Sequence, residues 1–269
     1  MPVTRVVKLN GVPVTVALEG SGPKLLLLHD EMGPISQGKF WDELCKHWSV
    51  VAPTHPGFAL TEPVSGVDTV ADLAYLYLSL IESLKLKNAT ILGFGLGGWI
   101  AADLAVKSTA NLDRLVLSDA FGIKINDRET RDIVDIFGVS QSDLERLSYF
   151  DPSVARSNYA EFSDEEVLAV AKNREASARY GWSPYMHNPK LKKRLSRINV
   201  PTLVLWGDGD QIVSPQYGQA YADAIPGAKF ALIERAGHFP HIEQPEVVSK
   251  KLFEFYAEGR AATALHKAN

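Results

Sequence analysis

The stretch TILGFGLGGWIAA, from Thr90 to Ala102, combines a buried apolar run, a glycine-rich turn and a helical pattern. Gly93, Gly97 and Gly98 lack the side chains that would hold a strand and the following helix apart. Such a sharp turn directs the first backbone N–H groups of the helix into the space above it, where they can bind an anion. We therefore expect the N–H of Leu96 to donate to a negatively charged oxygen.

Two later segments carry residues suited to acid–base chemistry. Asp208 and Asp210 lie in VLWGDGDQIV, and His238 and His241 lie in AGHFPHIEQPE, each segment following an apolar run. A carboxylate that binds one imidazole nitrogen fixes the tautomer of the ring and leaves the other nitrogen for proton transfer. Each residue also has a structural interpretation, Asp210 as the cap of a turn and His238 as a loop histidine.

The apolar pattern predicts the scaffold that positions these residues. Alternation over residues 5–8 and 12–18, joined by Asn10 and Gly11, predicts a β-hairpin. Short apolar runs predict buried strands at Lys24–Leu28, Val50–Pro53, Ala89–Leu92, Leu112–Leu117, Pro201–Gly207 and Lys229–Glu234. Helical patterns lie between them at about Gly38–Trp48, Val67–Leu86, Gly97–Ser108, Pro215–Ala224 and Pro245–Ala257. This alternation predicts an α/β fold, a mostly parallel sheet with helices on both faces.

The segment 122–196 interrupts this alternation. It is rich in charge and helix formers, as in SDEEVLAVAKNREASARYGW, and contains no convincing buried strand. We expect a helical cap there, with residues 1–121 and 197–258 forming the core domain. The basic run PKLKKRLSR, residues 189–197, has the spacing of a solvated helix face. Residues 259–269 have little to pack against and are expected to form a tail.

The composition of the chain limits the classes of partner and the cellular location that we expect. The 269 residues are 46% hydrophobic and 22% charged, as is typical of globular proteins, and the net charge of −4 argues against nucleic acid or an anionic membrane. The single cysteine, Cys45, excludes an internal disulfide and fits a reducing compartment. The N-terminus lacks the apolar core of a signal peptide, and the apolar runs are too short to cross a bilayer. We expect a cytoplasmic protein that takes a small-molecule substrate and no cofactor; the oligomeric state stays open.

The order of these motifs resembles that of the α/β-hydrolase family over nearly the whole chain. The similar segments are LLLLHDEMG, VVAPTHPGF, the glycine-rich turn, the cap insertion, VLWGDGDQIV and AGHFPHIEQPE. The resemblance implies an α/β-hydrolase fold and a catalytic triad whose members follow the chain order nucleophile, Asp, His. By position it assigns the acid to Asp210 rather than Asp208 and the base to His238 rather than His241.

The turn resembles a nucleophile elbow that has lost its nucleophile, because the central residue is Gly95. The resemblance implies that the backbone N–H groups of Leu96 and Glu31 bind an oxyanion. Without a hydroxyl at residue 95 an acyl-enzyme is excluded, but the gap beside the glycine is expected to admit a water close to His238. His238, with Asp210 behind it, would then act as general base toward that water or toward an acidic proton of the substrate.

Two other segments depart from the family pattern. Asp30 follows His29 where the family usually has a glycine, and Ala59, Leu60 and Thr61 stand where it usually has a glycine and a serine. An engineered inactive variant would normally change one residue only. Several local departures therefore favour a natural glycine in the elbow, with an engineered replacement of a parental serine as the alternative.

Three functions follow from this pattern. The leading one is an enzyme that acts on a small, partly apolar ester, thioester or C–C bond substrate. The second is a non-hydrolytic enzyme similar to the family's cofactor-free dioxygenases and hydroxynitrile lyases, which rely on a His–Asp pair. The third is a non-catalytic binder similar to plant hormone receptors of this fold, although such a pocket has no need of both Asp210 and His238.

Several of these segments also admit other interpretations. A dinucleotide loop would follow the first strand of a βαβ unit, whereas this turn follows about five strands. His29 and His55 match positions that are usually structural, and metal binding by His29, Asp30 and Glu31 is disfavoured because consecutive side chains point in different directions. Cys45 is expected to be an inert packed thiol. The substrate-binding residues are not identified, although cap aromatics could line a pocket: Phe137, Phe150, Tyr159, Tyr180, Trp182 and Tyr185.

Overall fold

The architecture is an eight-stranded sheet covered by helices, as seen in a computed structural model. The structure describes the backbone of residues 1–155 and 158–268 and the side chains of residues 1–155 and 158–258. The strands β1 to β8 are Val3–Leu9, Val12–Glu19, Lys24–Leu28, Ser49–Pro53, Ala89–Phe94, Leu112–Ser118, Thr202–Gly207 and Lys229–Ile233. Their spatial order is β1-β2-β4-β3-β5-β6-β7-β8. Both pairings of β2 are antiparallel and all others are parallel, which confirms the predicted mostly parallel sheet.

The N-terminal hairpin forms at the predicted turn. Asn10 and Gly11 have φ values of 50° and 89°, and Leu9 pairs with Val12 across the turn. Two consecutive left-handed residues are typical of a type I′ turn, whose twist matches that of the strands it joins. The Asn-Gly signal in the sequence was therefore sufficient to predict this element.

Helices cover both faces of the sheet. The α-helices α1 to α9 are Lys39–Cys45, Val70–Ser83, Gly95–Lys107, Gln141–Ser148, Asp164–Gly181, Leu191–Arg194, Pro215–Ala224, Pro240–Glu243 and Pro245–Ala268. Successive residues of β3 face opposite layers: Leu26 belongs to the apolar cluster that includes residues of α2, α3 and α7, whereas Leu27 belongs to the one that includes residues of α1 and α9. In the part of the chain that the structure describes, no helix has the length and apolar character needed to span a membrane.

The segment between β6 and β7 is helical, as predicted. Its described residues form α4, α5, α6 and short 3-10 turns, with two isolated bridges and no strand of the sheet. In the basic run, Leu191 and Leu195 are buried while Lys193 and Arg194 are exposed, which confirms the solvated helix face. The division of the chain into core and cap domains stays a prediction.

The last helix is longer than the sequence suggested. It was predicted to end at Ala257, but α9 continues to Ala268, so residues 259–268 extend a helix where a tail was expected. Alanine, leucine and lysine in this segment favour helix even without a partner to pack against. Asn269, the last residue of the predicted tail, lies outside the described residues.

The close approach of β5 and α3 requires the glycines between them. A Cβ on Gly93 would lie 2.3 Å from the carbonyl oxygen of Gly97, and one on Gly97 would lie 2.2 Å from that of Leu28. A Cβ on Gly98 would meet the Ala120 side chain at 2.5 Å. These contacts confirm the steric role predicted for the glycine pattern.

Gly97→Ala is expected to lower the free energy of unfolding by about 3 kcal/mol, because backbone rather than a flexible side chain must move away from the new methyl group. Urea unfolding followed by circular dichroism measures this loss. The control is Gly66→Ala, where φ is +81° but nothing lies within 4 Å of the added Cβ, so it reports only the backbone cost of about 1 kcal/mol. Equal losses in the two variants would contradict the close-approach argument.

Candidate active site

The carboxyl ends of five parallel strands meet at one edge of the sheet and carry the residues of interest. Glu31 follows β3, Gly95 lies between β5 and α3, and Asp119 follows β6. Asp210 follows β7, and His238 follows β8. Ligands bind preferentially at this edge of open α/β sheets. The structure therefore brings the predicted site residues to a single place.

The elbow has the strained geometry that the motif predicts. Gly95 adopts φ +48°, in the left-handed region that glycine tolerates at little cost, directly after the extended Phe94. The N–H of Leu96 lies in the first turn of α3, where it has no carbonyl partner within the helix. The oxyanion role of the Leu96 and Glu31 N–H groups remains a prediction.

Asp210 and His238 form a buried pair. The Nδ1 atom of His238 lies 2.8 Å from Oδ2 of Asp210, and the two residues are 1% and 3% exposed. The other oxygen of Asp210 accepts hydrogen bonds from the backbone N–H groups of Ile212 and Val213 at 2.8 and 3.0 Å. The loop after β7 thus fixes the carboxylate, and the carboxylate fixes the ring.

A second carboxylate, that of Glu31, lies beside the other ring nitrogen of His238. Oε1 of Glu31 lies 3.1 Å from Nε2 of His238, close enough for an ion pair but without the alignment of a hydrogen bond. Among the described residues, Oε2 of Glu31 has no hydrogen-bond partner, and a Cβ on Gly95 would lie 2.4 Å from it. The expected water-sized gap beside Gly95 is therefore wrong, because the Glu31 carboxylate fills it.

The two carboxylates determine the charge of His238. Burial alone would lower its pKa, but the carboxylates of Asp210 and Glu31 outweigh that effect and raise the pKa well above the usual range. The ring of Phe121 stacks on the imidazole at 5.1 Å. At neutral pH the resting imidazole is therefore in its cationic form, with a proton on each nitrogen. It can donate a proton to a ligand but cannot accept one until it has done so.

Asp119 is a third buried carboxyl that sequence reasoning missed. Its oxygens accept hydrogen bonds from the Gly207 N–H at 2.8 Å and from the Ser118 hydroxyl at 2.7 Å. Burial, and next the charge of Asp210, raise its pKa well above the usual range. The available signal was its position directly after the apolar run of β6.

Asp119, Asp210 and His238 each place one ligand-type atom within 4.8 Å of the others, which raises the question of a metal. The Asp210 oxygen in question binds His238, and both Asp119 oxygens accept protein hydrogen bonds. A cation would have to displace these donors. The donor set therefore suits proton transfer, and the expectation of no metal stays a prediction.

His29 and His55 brace the loop that carries Glu31. Nε2 of His29 accepts a hydrogen bond from the His55 N–H, and Nε2 of His55 donates to the carbonyl oxygen of His29, both at 3.0 Å. The rings stack at 3.7 Å, and burial lowers the pKa of His29 to about 3. Nδ1 of His29 lies 2.7 Å from the Asp30 carbonyl oxygen, so both nitrogens are occupied and cannot bind a metal.

Asp30 and His241 form a second buried contact beside the site. Oδ2 of Asp30 lies 3.3 Å from Nε2 of His241, and Oδ1 accepts the Met32 N–H at 2.8 Å. Burial and the charge of Glu31 raise the pKa of Asp30 to about 8, and burial lowers that of His241 to about 3. The pair is therefore neutral at pH 7. His241 therefore contacts a buried side chain rather than backbone or solvent.

Asp30→Asn is expected to change how stability depends on pH. With a folded-state pKa of about 8 and an unfolded value near 4, Asp30 binds more protons in the folded state between these values. The free energy of unfolding therefore falls as pH rises from about 4 to about 8, and the asparagine variant should lack this part of the fall. Urea unfolding over this pH range measures the difference from wild type. Parallel curves for the two proteins would contradict the raised pKa.

A cavity of about 290 Å³ opens onto Glu31. Much of its wall is apolar and includes the side chains of Met32, Ile136, Leu144, Ile212, Phe239 and Ile242. Neither His238 nor Gly95 is among the described residues that line it. A ligand in this cavity therefore meets the Glu31 carboxylate before it meets the imidazole.

The cap aromatics divide between several places. Tyr159 lines the cavity at Glu31, whereas Trp182 and Tyr185 line a different cavity of about 420 Å³ that shares no residue with the site. Tyr180 is buried and donates to the carbonyl oxygen of Pro56 at 2.9 Å. Phe150 is 48% exposed. Of the cap aromatics named from the sequence, Tyr159 is therefore the one that lines the cavity at Glu31 among the described residues.

The cap helix α5 holds the loops of the site. Asn173 donates to the Met32 carbonyl oxygen at 2.6 Å and accepts from the Ala59 N–H at 2.7 Å. The Ser177 hydroxyl donates to the carbonyl oxygen of Glu31 at 3.3 Å. Ala59 has φ +51°, at a position where the family usually has glycine. The backbone around Glu31 is therefore fixed from the cap side as well as from the sheet.

This fold and this edge of the sheet define an α/β-hydrolase. A model of the alpha/beta hydrolase family matches residues 25–251, and the chain belongs to that family. It is 25% identical over 254 residues to the pyrrolizixenacetamide deacetylase of Xenorhabdus hominickii, with 89% of this chain and 93% of the relative covered. It is 24% identical to the 2-hydroxymuconate semialdehyde hydrolase of Pseudomonas sp. (strain CF600), with 94% and 93% covered.

A likeness to solved structures extends over the same range. A thermophilic esterase from Thermogutta terrifontis superposes with a TM-score of 0.73 at 24% sequence identity, covering 96% of this chain and 98% of that one. At this identity the likeness establishes the fold and not the reaction. The resemblance inferred from the motifs is thus confirmed.

Proposed function

We propose that this protein is an enzyme that hydrolyses a small, partly apolar ester, thioester or C–C bond substrate without a serine nucleophile. The observation that carries the proposal is the buried His238–Asp210 pair, 2.8 Å apart, which contacts Glu31 in the wall of a largely apolar cavity of about 290 Å³. A binding pocket without chemistry has no use for an imidazole aligned by a carboxylate. The names of the two relatives above, a deacetylase and a hydrolase, are consistent with this reaction class.

In this proposal water takes the part of the missing hydroxyl. The substrate carbonyl lies over the elbow, where the N–H groups of Leu96 and Glu31 bind the developing oxyanion. His238, protonated at rest, donates its proton to the leaving group, and Asp210 stabilises the ring throughout. No acyl-enzyme forms, because residue 95 offers no atom to carry the acyl group.

The contact between Glu31 and residue 95 supports a natural glycine. Any side chain at that position would begin 2.4 Å from Oε2 of Glu31, so a parental serine would require Glu31 to lie elsewhere. The same contact favours a second candidate function, proton abstraction from a carbon acid without hydrolysis, since two carboxylates and an imidazole can exchange protons there. Incorporation of solvent deuterium into a substrate that is not cleaved would identify that reaction.

The test is a screen of short-chain p-nitrophenyl esters, acyl thioesters and β-diketones with the purified protein. We expect steady turnover without a burst and without labelling by a fluorophosphonate, which modifies activated serines. Titration calorimetry with the same compounds tests the alternative that the protein binds a small molecule without transforming it. Tight binding of a compound that is recovered unchanged, with no turnover of any other, would overturn the proposal.

A further inference from the structure

We infer that the side chain of Glu31 is a catalytic residue, the base that takes the proton from the attacking water while His238 is the acid. The inference rests on the proposed hydrolysis and goes further, because it assigns a role to a carboxylate at the place of the nucleophile. The position of the Glu31 carboxylate supports this role. Oε2 of Glu31 would lie 2.4 Å from a Cβ on Gly95, where a side chain of the elbow would begin.

Access from the cavity supports the same assignment. Glu31 lines the cavity, whereas neither His238 nor Gly95 is among the described lining residues. The side chain is 8% exposed, and its Oε2 atom lacks a hydrogen-bond partner among the described residues. A buried carboxylate oxygen without a protein partner is costly and requires an explanation, of which a catalytic role is one. A substrate-bound water is the partner that hydrolysis supplies.

The pairing with His238 completes a proton circuit. Glu31 takes one proton from water while the water oxygen bonds to the carbonyl carbon. When the tetrahedral intermediate collapses, the bond to the leaving group breaks and Nε2–H of His238 protonates that group. Rotation of the Glu31 carboxyl group then brings the proton from Oε2 toward Nε2 of His238, which lies 3.1 Å from Oε1, and its transfer restores the resting state. One water is consumed, and the enzyme ends with the protons it began with.

The competing interpretation is that Glu31 is a plug that must swing away to expose His238. Its backbone argues against this, because Ser177 of the cap donates to its carbonyl oxygen at 3.3 Å. On the other side, the stacked histidines His29 and His55 hold the preceding residues. The loop is fixed from both sides, so the carboxylate can leave its position only by rotation of the side chain itself.

The aryl glycidyl ether 1,2-epoxy-3-(4-nitrophenoxy)propane tests the proposed role of Glu31 without knowledge of the substrate. The carboxylate attacks an epoxide carbon, the ring C–O bond breaks, and His238 protonates the alkoxide, which leaves a hydroxyalkyl ester detected by peptide mass spectrometry. We expect an ester on Glu31, none in Glu31→Gln, and labelling at least about 10-fold slower in His238→Gln. The matched control is Glu82→Gln, which changes an exposed carboxylate on α2 outside the cavity and should keep the Glu31 label.

Each outcome decides the inference. No ester on Glu31, or a label that forms as fast in His238→Gln, overturns it, and so does higher turnover by Glu31→Ala, which would identify a plug. If His238→Gln is inactive on a hydrolysed substrate while Glu31→Gln is unimpaired, the inference fails and the proposed hydrolysis stands. A His238-dependent ester on Glu31 in a protein that hydrolyses nothing in the screen supports the reactive pair and refutes the hydrolysis.

Discussion

His238→Gln is expected to lower kcat/KM by about 10³- to 10⁴-fold for any substrate that the wild-type protein hydrolyses. The imidazole lies between two carboxylates, at 2.8 Å from Asp210 and 3.1 Å from Glu31, and glutamine can carry no proton between them. The loss should fall mainly on kcat, because His238 is not among the described residues that line the cavity. Steady-state kinetics with the best compound of the ester and thioester screen measure it.

The control for this variant is His47→Gln, which changes an exposed histidine and should leave kinetics unaltered. Folding must be checked separately, because removing one member of a buried charge pair costs about 3–5 kcal/mol. Asp210→Asn provides a second route, since its side-chain oxygen can still accept the Ile212 and Val213 N–H groups while the charge is lost. If both folded variants retain wild-type turnover, the reaction does not use the pair.

Gly95→Ser combined with Glu31→Ala is expected to create an activated serine. Alone, the serine must enter a space where Oε2 of Glu31 would be 2.4 Å from its Cβ, at a φ of +48° that serine adopts with strain. The single variant should therefore be less stable than wild type and should not react with a fluorophosphonate. Removing the Glu31 carboxylate opens that space beside the His238–Asp210 pair. We expect labelling to appear, with ester hydrolysis rising by about 10²-fold or more over wild type.

Intact-mass spectrometry after fluorophosphonate treatment measures the gain, and thermal melting measures the stability of the single variant. The matched control is Gly95→Ser with Glu145→Ala, which removes a carboxylate from the cavity wall but not from the elbow. That control should remain unlabelled. A single variant that labels as fast as the double variant, or melts above wild type, would show that Glu31 does not compete for the space at residue 95.

Much of the scaffold could be predicted because it depends on local sequence signals. The Asn-Gly turn, the short apolar strands and the steric need for Gly93 and Gly97 each act within a few residues of one another. Asp210 and His238 could be placed together because parallel strands end at a common edge, so position after a strand determines location. The same reasoning would have found Asp119, which follows β6 directly.

The side chain of Glu31 could not be placed in this way. The backbone that carries this side chain is held by contacts that no local pattern reveals. One of them is the hydrogen bond that the Ser177 hydroxyl, 146 residues further along the chain, donates to the Glu31 carbonyl oxygen. The motif predicted only its backbone N–H in the oxyanion loop and a gap beside Gly95 that would admit a water. The absence of a side chain at residue 95 is visible in the sequence, but that the Glu31 carboxylate fills the space is visible only in three dimensions.

The attachment of α5 to the loops below it has a consequence for protein engineering and for divergence among relatives. Asn173 and Ser177 both lie on this helix and bind the backbone of Met32 and Glu31. A chimera that received the cap of another family member would lose these anchors and shift the carboxylate together with the pocket wall. We therefore expect that replacing residues 122–196 alone would yield proteins that bind new compounds without transforming them.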